Sequence, residues 1–330
     1  MPDLKTTYLG LELDNPIIVG SCGITKSAEG VKRCADAGAG GVVLKSLFEE
    51  EIRLHFRETN AAVEKDAAMH PEAYEYLRAD LASLYGAQNY VALVRDASKA
   101  VDIPVIASIN CTSADVWVKF ASQIEAAGAA ALELNIYVLP TDATAHSGQV
   151  EQTYFDALEA VLNEVKIPVA VKLVPYITNL TAFTAVADKI GASGLVLFNR
   201  FFHPDINLST VSIEGGLSFS SPQDYRLPLR WIALLAKNTG CDLCASGGIH
   251  DGEAALKLLL AGASAVQMTS SLYLNRLDRI EKTLTTISNW MSEHGHSSVA
   301  DFRGLLSRGE SDDTQLLERS QYIKAFVGVE

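Results

Sequence analysis

A boundary that recurs four times constrains this chain more than any other feature: a helix-like segment ends at Gly-Ala and a short apolar run follows. Gly38-Ala39 precedes VVLKS, Gly128-Ala129 precedes ALELN, Gly191-Ala192 precedes LVLFN and Gly262-Ala263 precedes AVQMTS. Runs this short and apolar read as strands buried on both faces, the pattern of a parallel sheet. A second set of strands begins differently. Asn15-Pro16 opens IIVGS, Ile103-Pro104 opens VIASIN and Ile167-Pro168 opens VAVKLV, while Asp242 opens LCASGG without the proline. Proline at a strand's first position is tolerated because its missing N–H is not needed there.

Interleaved, the two sets predict eight strands near residues 15–21, 41–46, 104–110, 131–136, 168–174, 194–200, 242–248 and 265–271. Helical apolar spacing occupies 27–37, 113–127, 151–165, 179–190, 222–238, 251–261 and 272–294. This alternation outlines an α/β protein, a (β/α)8 TIM barrel in a single domain over 1–330. An open doubly wound sheet shares the alternation, but its dinucleotide form wants G-x-G-x-x-G in the first turn, and here that turn reads Gly20-Ser21-Cys22-Gly23. Two connections exceed simple barrel loops, 47–103 after the second strand and 201–221 after the sixth. Both leave strand C-termini, so they are candidates for a lid or partial roof; a dimer arm or helical decoration is the other reading of 47–103.

Composition limits the partners. The 330 residues are 48% apolar and 20% charged, with a net charge of −13, so no global field draws nucleic acid or anionic lipid, and any anionic ligand must be held locally. Five cysteines, an odd number spread over a long chain, imply free thiols in a reducing compartment. Cys241-x-x-Cys244 has no second pair to complete a four-ligand site, so no metal is expected. The N-terminus lacks a basic stretch followed by an apolar one, and no apolar window spans a membrane; a cytoplasmic protein is expected.

The strand C-termini carry Ser21, Lys45-Ser46, Asn110, Asn135, Lys172, Asn199-Arg200, Ser246-Gly247-Gly248 and Thr269-Ser270. A barrel mouth wants some polarity for solvation alone, yet two lysines, three asparagines and a Gly-Gly turn together point to a site. Ser246-Gly247-Gly248 and Thr269-Ser270 follow strands seven and eight, where barrels bind phosphate through backbone N–H groups. Lys172, within Val-Lys-Leu-Val-Pro, points into the barrel and must meet an anion or acceptors. Either it faces a bound anionic cofactor, as does Lys45, or each forms an internal ion pair, for instance with Glu133.

These residues resemble the dihydroorotate dehydrogenase family in its soluble class 1 form. The matching segments are Asn-Pro-Ile-Ile-Val-Gly-Ser near the start, Leu-Lys-Ser at 44–46, Glu-Leu-Asn at 133–135, Val-Lys-Leu-Val-Pro-Tyr at 171–176, Gly-Gly-Leu-Ser at 215–218, Ser-Gly-Gly-Ile at 246–249 and Gly-Ala-Ser-Ala-Val-Gln at 262–267. The resemblance implies FMN across the barrel mouth, with Gly20, Ser21 and Ser46 near its ring. Lys45, Asn135, Lys172 and Asn199 would reach the isoalloxazine or the substrate, and Gly216, Gly247, Gly248, Thr269 and Ser270 the phosphate and ribityl chain. It further implies a homodimer, a small-molecule substrate and a second electron acceptor.

The departures concern the substrate. Where the family continues Glu-Leu-Asn with a Ser-Cys-Pro-Asn or Ser-Ser-Pro-Asn run, whose cysteine or serine is the base, this chain has Asn135-Ile136-Tyr137-Val138-Leu139-Pro140, and Val138 occupies the base position. The asparagine-rich segment after strand two is replaced by material around Met69-His70-Pro71. A replacement base is sought in the same loop, in Tyr137 or His146 ahead of Thr141, Asp142 and Ser147, or at Cys111. Arg200 stands where the family has a small polar residue; it either contacts an anionic substrate or pairs with a surface acid. The leading expectation is an FMN-dependent oxidoreductase passing hydride from dihydroorotate or a related compound to flavin N5. A barrel lyase or isomerase using Lys172 on a phosphorylated substrate, and a flavin-binding protein without turnover, are the alternatives.

Overall fold

The structure, a computed structural model, describes residues 2–48, 88–110, 114–200, 204–215, 219–309 and 317. At each of the four Gly-Ala boundaries the glycine takes a positive φ: +90° at Gly38, +97° at Gly128, +115° at Gly191 and +118° at Gly262. The following alanine N–H reaches back five residues, Ala39 to Cys34 O, Ala129 to Ile124 O, Ala192 to Ala187 O and Ala263 to Leu258 O. This closes a left-handed helix cap. The residue after the alanine then docks on the preceding strand: Gly40 N–H donates to Ile17 O, Ala130 to Val105 O, Ser193 to Val169 O and Ser264 to Leu243 O, at 2.7–2.9 Å. One local signal thus ends a helix and sets the register of a strand, four times.

The elements run β1 (Thr6–Tyr8), β2 (Leu11–Leu13), β3 (Ile17–Val19), α1 (Ala28–Asp36), β4 (Gly41–Val43), β5 (Leu47–Phe48) and, past a helical stretch at 88–100, β6 (Val105–Asn110). They continue α2 (Ala114–Ala126), β7 (Ala131–Asn135), α3 (Ser147–Leu162), β8 (Val169–Leu173), α4 (Leu180–Ile190), β9 (Gly194–Leu197), β10 (Pro204–Asn207) and β11 (Ser212–Gly215). Then come α5 (Arg226–Leu235), β12 (Asp242–Ser246), α6 (Gly252–Ala261), β13 (Ala265–Met268), α7 (Ser270–Asn275) and α8 (Asp278–His294). Eight parallel strands close in the order β3-β4-β6-β7-β8-β9-β12-β13 and back to β3. The protein is a (β/α)8 barrel, and the open-sheet alternative is excluded by the β13–β3 and β4–β6 pairings.

The strands that open on proline offer that residue's carbonyl to a neighbour: Pro16 O accepts from Val266 N, Pro104 O from Val42 N and Pro168 O from Leu132 N. Asp242, the exception, uses the N–H that proline lacks, donating to Ser193 O, and its carboxylate accepts from Leu9 N and Ser264 Oγ. Those bonds anchor the β1–β2 hairpin as a plug at the N-terminal end of the barrel. Tyr8, Leu9 and Leu13 of the plug pack on the inward-facing Ile18, Val43, Ile106, Ala131, Ala170, Val196, Cys244 and Ala265. The floor is therefore apolar and sealed, and inward polar side chains belong to the layers above it.

Three local departures from the sequence reading concern short elements. The segment 272–294 is two helices, parted at Arg276, whose φ is +63°. The connection after β9 holds the antiparallel β10–β11 hairpin, and β5 adds two residues beside β6. Of the 47–103 connection, only β5 and 88–103 lie among the described residues.

Candidate active site at the barrel mouth

The C-terminal mouth holds a cleft lined by Ser21, Lys172, Asn199, Arg200, Ser246, Gly247, Gly248, Gln267, Thr269 and Ser270, with Phe198, Ser220 and Ile249 completing the wall. Nine of these thirteen belong to the strand-end residues picked out by sequence, so the barrel brings together side chains spread over 250 residues. Two more join through hydrogen bonds. Asn135 accepts from Asn199 Nδ2 at 2.7 Å, and Ser46 N–H donates to Ser21 Oγ at 2.8 Å. The Ser46 hydroxyl then bridges Ser21 Oγ at 3.0 Å and Ser108 Oγ at 2.8 Å.

At the base of the cleft Lys172, Glu133 and Gln267 form a closed, buried triangle. Lys172 Nζ lies 3.3 Å from Glu133 Oε1 and donates to Gln267 Oε1 at 2.8 Å, while Gln267 Nε2 donates to Glu133 Oε2 at 2.6 Å. The ion pair that the sequence left as an alternative to a cofactor contact exists, and the same lysine lines the cleft. Beneath it, burial pushes the Cys244 thiol up; the Glu133 carboxylate adds to that shift and the Lys172 ammonium opposes it. Burial likewise raises the Tyr8 phenol, with Cys244 and Glu133 contributing. Both groups are neutral fillers of the interior.

The phosphate-like corner is backbone-built. Gly247 has φ +101° and a Cβ there would meet nothing within 4 Å, so the backbone faces open cleft; Gly248 has φ +72°, and a Cβ would come 2.1 Å from Tyr225 N. Only glycine permits both that curvature and the close passage of the 220–225 segment. Gly20 meets β13 in the same manner: a Cβ would sit 2.6 Å from Thr269 Oγ1. Ser270 Oγ accepts from Ser220 N–H at 3.0 Å, and Ser220 Oγ lies 3.0 Å from His250 Nε2.

Other expected residues sit elsewhere. Lys45 is half-buried with Nζ 5.4 Å from the Phe48 ring centroid. Arg200 pairs with the surface acid Asp224 at 3.8 Å and also lines the cleft. Tyr137 and His146 are exposed and not among the cleft-lining residues. Tyr137 helps raise the neighbouring Tyr154 phenol, which burial pushes up to about 12, and His146 precedes α3 with its backbone N–H on Gln149 Oε1. Asp142 holds Thr144, and the resulting bonds keep its carboxyl below the usual range. Val138 packs against the core. Gly216, Cys111 and Met69-His70-Pro71 lie outside the described residues. Sequence reasoning assigned no role to Gln267, Ser220 or His250; the usable signal for Gln267 was a lone polar residue inside the apolar run AVQM. Cys241 and Cys244 are buried, and Cys241 Sγ donates to Ala192 O.

Fold and mouth together define a barrel whose clustered polar groups, a buried lysine, paired asparagines and a glycine turn, stand at strand C-termini, the face where barrel enzymes build their sites. A family model described as dihydroorotate dehydrogenase matches residues 3–291, and the chain belongs to that family of flavin-dependent oxidoreductases acting on CH–CH bonds. A Methanocaldococcus jannaschii protein named dihydroorotate dehydrogenase B (NAD(+)), catalytic subunit, is 29% identical over 301 residues, 88% of this chain and 94% of its own. Proteins of the same name from Thermoplasma acidophilum and Pyrococcus horikoshii are 26% and 27% identical, covering 93% and 92% of this chain and 100% and 97% of theirs. The donor set fits a flavin: an ammonium at the base, amides and hydroxyls around it, and a glycine turn open to the cleft. Among the described residues no helix is long and apolar enough to cross a membrane.

Proposed function

We propose that the flavin is FMN, lying across the mouth with its ring toward Gly20, Ser21, Lys45, Ser46, Asn135, Lys172 and Asn199. Its phosphate end would lie toward Gly247, Gly248, Thr269 and Ser270, with Gly216 a further contact carried by the resemblance. The observation that supports this most is the opposition of a buried ammonium at the base to a glycine turn open to the cleft. When bound, the flavin would supply the acceptor for a hydride from a substrate carbon. The chain's own part is electrostatic and positional. Lys172 presents fixed positive charge where negative charge develops, and Asn135 and Asn199, already bonded to each other, spend no reorganisation on orienting a planar polar ligand. Arg200, held by Asp224, offers a charged contact to an anionic substrate.

The substrate in this reading is dihydroorotate or a related small molecule, with Tyr137 or His146 as the group that takes up its proton after a loop movement. A second substrate would serve as the electron acceptor, and the relatives' name supplies NAD(+) as one to try. The enzyme is read as a cytoplasmic homodimer, and the exposed Ile206, Leu208, Val211 and Ile213 of the β10–β11 hairpin support an apolar contact between copies. Anaerobic titration of FMN-loaded protein with dihydroorotate, followed by flavin absorbance, tests the reading. Stoichiometric bleaching is expected; a flavin that stays oxidised assigns the site to another substrate, and failure to take up FMN rejects the cofactor.

A further inference from the structure

We propose that Gln267 and Glu133 are positioning residues for Lys172: they fix two of its ammonium protons inside the barrel, so that the third, with the charge, is presented at the mouth. The inference rests on the flavin reading above and extends it to groups below the cofactor. The three side chains come from β7, β8 and β13. Glu133 and Lys172 stand on neighbouring strands, but β13 is separated from β8 by β9 and β12, so Gln267 reaches across the barrel. All three are buried, Glu133 at 1% and Gln267 at 2% exposure. Among the described residues Lys172 Nζ bonds only to Glu133 and Gln267, and the layer beneath is apolar.

Glutamine suits this position for a definite reason. Its amide carries one acceptor and one donor group, and here the oxygen faces the ammonium while the nitrogen faces the carboxylate. The flipped amide would set N–H against ammonium and carbonyl against carboxylate, so the charges themselves fix the orientation. Without Gln267, no other bond among the described residues holds the ammonium away from Glu133, and it closes on the carboxylate. Without the Glu133 charge, the lysine is less neutralised. The pair therefore sets how much positive charge the mouth presents.

The test is the two-electron midpoint potential of FMN-loaded protein at pH 6.5, with the FMN dissociation constant measured alongside. Lys172→Met should lower the potential, and Gln267→Met should lower it in the same direction by at least tenfold in the reduction equilibrium, about 30 mV. Glu133→Gln, which keeps the side-chain shape, should raise it. The decisive comparison is Lys172→Met with and without Gln267→Met: a positioning residue acts through the lysine, so the second change should add nothing. An equal shift from Gln267→Met in both backgrounds would mean direct action on the flavin and overturns the inference, as do unmoved potentials in Gln267→Met and Glu133→Gln proteins that bind FMN normally. Loss of FMN binding by the unaltered protein overturns the cofactor reading, and this inference with it.

Discussion

The buried triangle makes a stability prediction that separates folding from function. Lys172→Met removes an ammonium 3.3 Å from a carboxylate that is 1% exposed, leaving Glu133 with Gln267 Nε2 as its remaining side-chain partner. Breaking a buried ion pair from one side costs about 3–5 kcal/mol, because the surviving charge is uncompensated. Methionine nearly matches lysine in length, so the packing loss adds little. Adding Glu133→Gln removes the orphaned charge, and the residual hydrogen-bond mismatch costs about 1 kcal/mol. In urea denaturation of protein without cofactor, the single variant should lose about 3–5 kcal/mol and the double variant only about 1 kcal/mol. On the proposed flavin reading, FMN affinity should fall in both. A double variant no more stable than Lys172→Met, or a single variant within about 0.5 kcal/mol of the unaltered protein, would refute the reasoning.

Gly248→Ala should disrupt the mouth, since the added Cβ falls 2.1 Å from Tyr225 N; Gly247→Ala has open space and should cost only the left-handed strain of about 1–2 kcal/mol, which thermal denaturation resolves. The Cys34 and Cys241 thiols, pushed by burial up to about 12 and about 11, and the raised Cys22 and Cys244, should resist iodoacetamide at pH 8 in folded protein and react after unfolding, as read by peptide mass spectrometry. Hydroxyls and N–H groups of Ser297 and Ser298 hold the Asp301 carboxyl well below its usual range, so its contribution exists above the unfolded pKa and is lost as pH falls through the lower folded value. Asp301→Asn should therefore lower the melting temperature at pH 7 more than at pH 2.

The barrel was legible because its signals are local and repeated. A Gly-Ala step encodes a left-handed cap, and the same residues dock the next strand, so a short motif carries long-range register. The β1–β2 plug left no comparable trace: each strand is three residues long, and its anchor, Asp242 to Leu9 N, spans 233 positions. The split at Arg276 was equally silent, since neither glycine nor proline marks it. In the site, residues at strand ends were readable because the fold places every such end at one mouth. Gln267 was not readable as Lys172's partner, because pairing across the barrel depends on strand order and closure. The loop after β7 gave least, since Tyr137 and His146 both lie outside the strands.

That contrast divides the chemistry. The groups proposed to hold the flavin sit at strand ends and are held by the barrel itself: Lys172 by the triangle, Asn199 by Asn135 and its backbone bond to Leu173 O, Ser21 by Ser46. Of the groups proposed for the substrate, Tyr137 and His146 sit on the connection after β7, where Val138 packs against the core, while Arg200, just past β9, pairs with an exposed acid. In the proposed function hydride transfer draws on the first set. Proton transfer, in the same proposal, draws on the second. On the proposed reading the barrel-held set serves the electron chemistry and the loop after β7 decides where the proton goes, and it is the proton's destination that a substrate survey of this enzyme has to find.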